Sequence, residues 1–99
     1  MIYHSVFFKL NHPKHSPQEA TFLEAAAKLV AIPGVENFQV LKQKSLKNNF
    51  DYGLLMEFED QKKYDDYSNH AEHVQFIEDF WLKDVADFME IDYEKMDSF

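Results

Sequence analysis

Between Ile2 and Leu10 the side chains alternate, with Ile2, His4, Val6, Phe8 and Leu10 on one face and Tyr3, Ser5, Phe7 and Lys9 on the other. A period of two marks an extended strand, because successive side chains leave a strand on opposite sides. Both of these faces are largely apolar, so both need a cover. Helices of the same chain supply one, and the other calls for something more, such as a partner subunit. A homodimer is therefore expected.

The rest of the chain supplies the helices. Asn11 to His15 forms a polar loop, and Ser16-Pro17-Gln18-Glu19 then offers an N-cap serine, a proline at the first helical position and a glutamate three residues after the cap. Phe22, Leu23, Ala26, Leu29 and Val30 recur at helical spacing, and Pro33-Gly34 stops the helix. A second strand follows over Val35 to Lys44, with Phe38 and Val40 on one side. After the polar turn Ser45 to Asn49, a third strand runs from about Asp51 to Glu59, with Leu54, Met56 and Phe58 on one face. So short a connection makes these two strands an antiparallel hairpin. Asp60 caps a second helical region carrying Tyr64, Tyr67, His70, His73, Val74, Ile77, Phe80 and Trp81, with a break near Ser68-Asn69. A last short strand is expected over Phe88 to Tyr93. The order β-α-β-β-α-β, with no internal repeat, predicts one ferredoxin-like α+β domain with an antiparallel sheet over residues 1–99.

Charge narrows the function. Eighteen acidic residues face ten lysines and no arginine among 99 residues, a formal charge of −8. Phosphate backbones and anionic membrane surfaces are repelled by such a chain, so neither nucleic acid nor a membrane is an expected partner. Without arginine there is no planar fork for a phosphorylated ligand, and a neutral or weakly charged one fits better. No cysteine is present, which excludes thiolate metal sites, iron–sulfur clusters and a cysteine nucleophile. No window approaches 18 apolar residues and the N-terminus has no basic lead, which points to a cytoplasmic protein. Ten Phe, five Tyr and one Trp give a chain this short ample apolar bulk for a core.

Chemistry is expected on the second helical region. Tyr67, His70, His73 and Val74 lie three or four residues apart and share one face of a continuous helix. An imidazole exchanges protons at neutral pH and a phenol donates to a developing oxyanion, so the set suits enolisation or an aldol-type step. The plainer reading is an amphipathic helix whose polar tips reach water. His4 interrupts an apolar strand face and enters the same cavity if this helix packs across the strand. His70, His73 and His4 with Asp92 make a conceivable nitrogen–oxygen set for zinc, but their spacing matches no closed motif, and no metal is expected. His12 and His15, in a loop with Lys14, read as solvated, as do Gln61 to Asp66 and Asp92 to Ser98. Trp81 reads as core.

Four blocks carry a family resemblance: His4-Ser5-Val6-Phe7-Phe8-Lys9-Leu10, Ile32-Pro33-Gly34-Val35, Phe50-Asp51-Tyr52-Gly53-Leu54, and Tyr64-Asp65-Asp66-Tyr67-Ser68-Asn69-His70-Ala71-Glu72-His73. In this order they resemble the stress-responsive A/B barrel (Dabb) domain family. The resemblance implies a ferredoxin-like fold that dimerises through its sheets into an α+β barrel and works without a cofactor. It also implies one of two roles, since the family holds stress-associated proteins without assigned chemistry and a plant polyketide cyclase acting by aldol cyclisation. The cyclase's catalytic Tyr and His fall on Tyr67 and His73, and its pocket histidines on His4 and His70. Ala71 stands where the family commonly has proline, so the helix is expected to extend through the break and re-aim His70 more than His73. Proton transfer on a small carbonyl or polyketide-like ligand is the favoured expectation, and a non-catalytic ligand-binding dimer the alternative. A dimeric-barrel monooxygenase ranks third and would need Trp81 to line the pocket.

Overall fold

A computed structural model describes residues 1–99. Strand β1 (Ile2–Leu10) leads into helix α1 (Pro17–Ala27) and a 3-10 turn (Lys28–Ala31), followed by β2 (Glu36–Lys42) and β3 (Tyr52–Phe58). Helix α2 (Gln61–Asn69), α3 (Ala71–Phe76), a π turn (Ile77–Trp81) and α4 (Leu82–Asp84) then lead to β4 (Val85–Tyr93). The sheet has the order β2-β3-β1-β4, and each neighbouring pair is antiparallel. This is the ferredoxin-like α+β arrangement, with β3 inserted between the parallel strands β1 and β2. The last strand is longer than its apolar run suggests, because Val85 and Asp87 extend the pairing with β1, with Ala86 at a register shift between them.

Register decides which side chains meet. His4 lies opposite Met56 on β3 and Asp92 on β4, and directly opposed residues share a face. The helix side of the sheet therefore carries Ile2, His4, Val6 and Phe8 with Leu54, Met56 and Phe58, and Phe88, Glu90 and Asp92 complete it. Phe8, Phe22, Phe58, Ile32, Leu54 and Met56 are the largest fully buried side chains of the core. The Phe8 ring lies 5.2 Å from Tyr52, 5.2 Å from Trp81 and 5.5 Å from Phe22. Such aromatic pairs contribute about 0.5–1.5 kcal/mol each beyond the area they bury.

Helix α1 begins as its sequence dictates. The Ser16 hydroxyl accepts from the Glu19 N–H at 3.2 Å, and the Glu19 carboxylate accepts from the His15 N–H at 3.0 Å and from the Tyr52 hydroxyl. Its end differs from expectation. The chain tightens into the 3-10 turn, so inward positions recur every three residues at Ala26, Leu29 and Ile32. Val30 is turned out, 55% exposed, instead of joining the core. Gly34 then takes φ +92°, a left-handed conformation that suits glycine.

The second helical region also departs from its simplest reading. Ala71 does not carry the helix through. His70 is extended (φ −65°, ψ 138°), and its Nδ1 accepts from the Glu72 N–H at 3.1 Å. A histidine cap thus breaks the helix, and Ala71 opens the next one. The new helix starts in a different phase, which leaves Val74 exposed rather than beside Tyr67. In the π turn, Phe76 and Trp81 lie five residues apart and are both buried.

His12 is not a solvated loop residue. Its Nε2 lies 2.8 Å from Oδ1 of Asp84, a buried carboxylate at the α4–β4 junction. The Asn11 N–H donates to the Asp84 carbonyl at 2.7 Å, fastening the same loop. A carboxylate buried this deeply requires such partners.

The other face of the sheet stays partly open, as the two-sided first strand predicts. Tyr3, Phe7, Leu55 and Ile91 are half-buried there, and Met89 and Tyr93 are exposed. No helix of the structure is long and apolar enough to cross a membrane.

Candidate functional site

A cavity of about 300 Å³ opens between the helix side of the sheet and the helices α2 and α3, its walls mostly apolar. His4, Tyr67 and His73 line it, and His70 does not. His70 instead commits its Nδ1 to the Glu72 N–H. The sheet contributes Val6, Leu54, Met56, Phe88 and Glu90, and Trp81 closes one side. Trp81 is thus both core and cavity wall, packing edge-on against Phe88 at 5.5 Å.

The geometry of His73 results from the break in the helix. Its Nδ1 lies 2.9 Å from the Ser68 carbonyl oxygen. A carbonyl can only accept, so Nδ1 carries the proton and Nε2 keeps its lone pair. In an unbroken helix that carbonyl would take the Glu72 N–H, four residues on. His70 takes this N–H, and the carbonyl is left for His73. Burial holds the His73 imidazole below its ordinary range, the nearby His4 adds to the shift, and the Ser68 hydrogen bond and Glu90 oppose it. The ring is neutral at pH 7 and able to accept a proton.

Tyr67 stands against His73 with ring centroids 4.6 Å apart. It is 2% exposed, and its hydroxyl has no hydrogen-bond partner in the protein. No fully occluded side-chain polar atom lacks a partner, so this hydroxyl opens onto the cavity that the ring lines. Burial, reinforced by the charge of Glu90, holds the phenol well above its ordinary range. It is a hydrogen-bond donor at neutral pH and not a phenolate.

His4 lines the same cavity, its ring 6.4 Å from that of Tyr67. Its Nδ1 is 2.6 Å from Oδ1 of Asp92 and 2.9 Å from the Tyr64 hydroxyl. That hydroxyl reaches Oδ2 of Asp92 at 2.8 Å and Oε1 of Glu90 at 3.0 Å. Burial and these two acceptors hold the Tyr64 phenol well above its ordinary range. With Nδ1 donating to the carboxylate, Nε2 of His4 has no protein partner.

Tyr64, expected within a solvated run, and Glu90, not expected in the site, both line the cavity, and Asp92 is more than a solvated residue. Two signals mark them. Tyr64 lies three residues before Tyr67 on one helical face, and Glu90 and Asp92 alternate with Phe88 on a strand face that points inward. The four-residue zinc set conceivable from sequence is not assembled, since neither His70 nor His73 brings a ring nitrogen to the cluster that holds His4 and Asp92. His4 and Asp92 do meet, joined by Glu90, with their ligand atoms within 4.8 Å of one another.

Fold and site together define a ferredoxin-like α+β domain with a histidine- and tyrosine-lined cavity between sheet and helices. The sequence pattern of the Dabb family, the stress responsive A/B barrel domain, matches residues 2–95. The chain belongs to that family. A Dabb family protein with a ferredoxin-like fold from Mesorhizobium loti is 45% identical over 96% of each chain, with a TM-score of 0.94. A dimeric ferredoxin-like protein of unknown function from Thermobifida fusca is 21% identical over 95% of this chain and 90% of its own, with a TM-score of 0.77. The hydroxynitrile lyase of Passiflora edulis is 12% identical over 99% of this chain and 95% of its own, with a TM-score of 0.84. At such identities the last two share the fold. No functionally curated sequence is detectably similar to the chain.

Proposed function

We propose that this chain is an enzyme that moves protons on a small carbonyl compound using its own side chains. The observation that carries the reading is that His73, Tyr67 and His4 line one mostly apolar cavity, each with a polar atom that has no protein partner. His73 Nε2 takes the proton from the carbon next to a carbonyl. Tyr67 donates a hydrogen bond to the enolate oxygen as it forms, and His4 lines the cavity beside it. The enolate carbon then either regains a proton from the His73 imidazolium or attacks a second carbonyl of the same molecule. In the second case the imidazolium protonates the new alkoxide, which closes an aldol step with the proton accounted for. Apolar walls favour a neutral substrate and strengthen each of these hydrogen bonds by excluding water. A hydroxynitrile lyase on this fold is consistent with carbonyl chemistry in such a cavity.

The same reading includes a homodimer, formed through the open sheet face that carries Phe7, Leu55, Met89 and Tyr93. Fold neighbours from Thermobifida fusca and Bacteroides fragilis are described as dimeric. Light scattering at micromolar concentration is expected to give about twice the chain mass of 11.8 kDa, and Phe7→Asp to give one chain mass. For the chemistry, linear β-polyketones and shorter β-diketones are incubated with the protein and followed by mass spectrometry and NMR. Turnover by the wild type that falls by roughly 10²–10⁴ in His73→Ala supports the assignment. Turnover indifferent to that substitution, or none with any carbonyl compound tried, overturns it.

A further inference from the structure

We infer that the chain holds one divalent transition-metal ion on His4 Nδ1, Glu90 and Asp92, where β1 and β4 meet the cavity. This goes beyond the proton-transfer reading and does not depend on it. The three groups come from paired strands, with His4 opposite Asp92 in the β1–β4 register and Glu90 two residues earlier on the same face of β4. His4 Nδ1 is 2.6 Å from Asp92 and 3.9 Å from Glu90. Side-chain exposure is 9% for His4, 50% for Glu90 and 37% for Asp92, so the nitrogen is fixed in place and the carboxylates can adjust around an ion entering from solvent.

Charge points the same way. Lysine pairs neutralise Asp51, through Lys9 and Lys14, and Asp66, through Lys62. Glu90 and Asp92 have none within ion-pair distance and share only the His4 ring and one phenolic proton from Tyr64. Two carboxylates held this close repel each other unless a cation or a shared proton intervenes.

A second observation is independent of the cluster. The Tyr67 hydroxyl, on a side chain more than nine-tenths buried, opens without a partner into the cavity that Glu90 also lines. It is available to an exogenous oxygen ligand, such as a metal-bound water, in that shared cavity. One imidazole nitrogen with two carboxylate oxygens suits zinc or manganese better than calcium or magnesium, which favour all-oxygen sets, and three protein ligands leave a position for water or substrate. An ion on Nδ1 selects the other neutral tautomer, in which the ring's single proton is on Nε2 as a donor.

The test is calorimetric titration of the chelator-treated protein with Zn²⁺ and, separately, Mn²⁺, with Co²⁺ absorption as a report of coordination. One ion per chain is expected, weakened in Asp92→Asn and in Glu90→Gln by at least the roughly 10–100-fold that loss of even an outer-sphere partner costs a metal site. His15→Ala, at an exposed loop histidine, is expected to leave binding unchanged. Both carboxylate variants alter partly exposed side chains, and their circular dichroism is checked against wild type. Only weak binding at several sites, or affinity unaltered in both carboxylate variants, overturns the assignment.

Discussion

The Ser68 carbonyl accepts the Nδ1 proton of His73 at 2.9 Å because the backbone donor that would otherwise claim it, the N–H of Glu72, is held by His70. Two histidines three residues apart thus divide their work. One breaks α2 and caps α3, and the other uses the freed carbonyl to turn its lone pair toward the cavity. His70 therefore acts on the site from outside it.

His70→Ala removes that cap. N-cap loss typically costs about 0.5–2 kcal/mol, and urea denaturation is expected to show a loss in this range. Asparagine is a strong cap by its own side chain, so His70→Asn is expected to recover most of it. Equal stability of the alanine and asparagine variants would contradict the capping role.

The buried Asp84 gives a second check. His12→Ala leaves its carboxylate without the imidazole 2.8 Å away, and an abandoned buried acceptor costs about 1–3 kcal/mol. The melting temperature is expected to fall accordingly. A solvated His12 would leave it unchanged.

His73 sets a pH dependence whose sign can be worked out. Burial lowers its folded-state value below that of the unfolded chain, so on acidification the unfolded state binds the proton first. Stability from this residue is present above about pH 6.5, the ordinary imidazole value. It is lost as pH falls through the lower folded value. Melting curves from pH 8 to 5 are expected to show a drop in wild type that is shallower in His73→Gln. Identical slopes would show that the ring titrates as if exposed.

Core packing is tested at Phe8, whose ring meets Phe22, Tyr52 and Trp81. Phe8→Ala is expected to cost about 3–5 kcal/mol, measured by denaturant titration. A loss below about 1 kcal/mol would mean that the cluster is not a cooperative core.

The strands are legible in the sequence because alternation in Ile2–Leu10 and Leu54–Phe58 is a local signal, and the start of α1 because its cap and proline are adjacent. Val30 is not, since a 3-10 turn changes the period from 3.6 to 3 without altering composition. Within the site, helical spacing finds Tyr67 and His73, and the interruption of an apolar strand face finds His4. Tyr64, Glu90 and the structural role of Asp92 depend on the β1–β4 register, which joins residues near the two ends of the chain. His12 needs its distant partner Asp84 for the same reason. Spacing turns His70 toward the pocket only in a continuous helix, and the cap that ends the helix is made by that residue's own side chain.

The most direct measurement of the central claim is the exchange of α-hydrogens in a small β-diketone for deuterium, followed by NMR in D₂O near neutral pH. Wild-type protein is expected to accelerate exchange over buffer, and Tyr67→Phe and His73→Ala, checked for native fold, to lose roughly 10²-fold or more of that acceleration. Exchange at the buffer rate, or acceleration that survives both substitutions, would contradict the assignment of His73 as base and Tyr67 as donor.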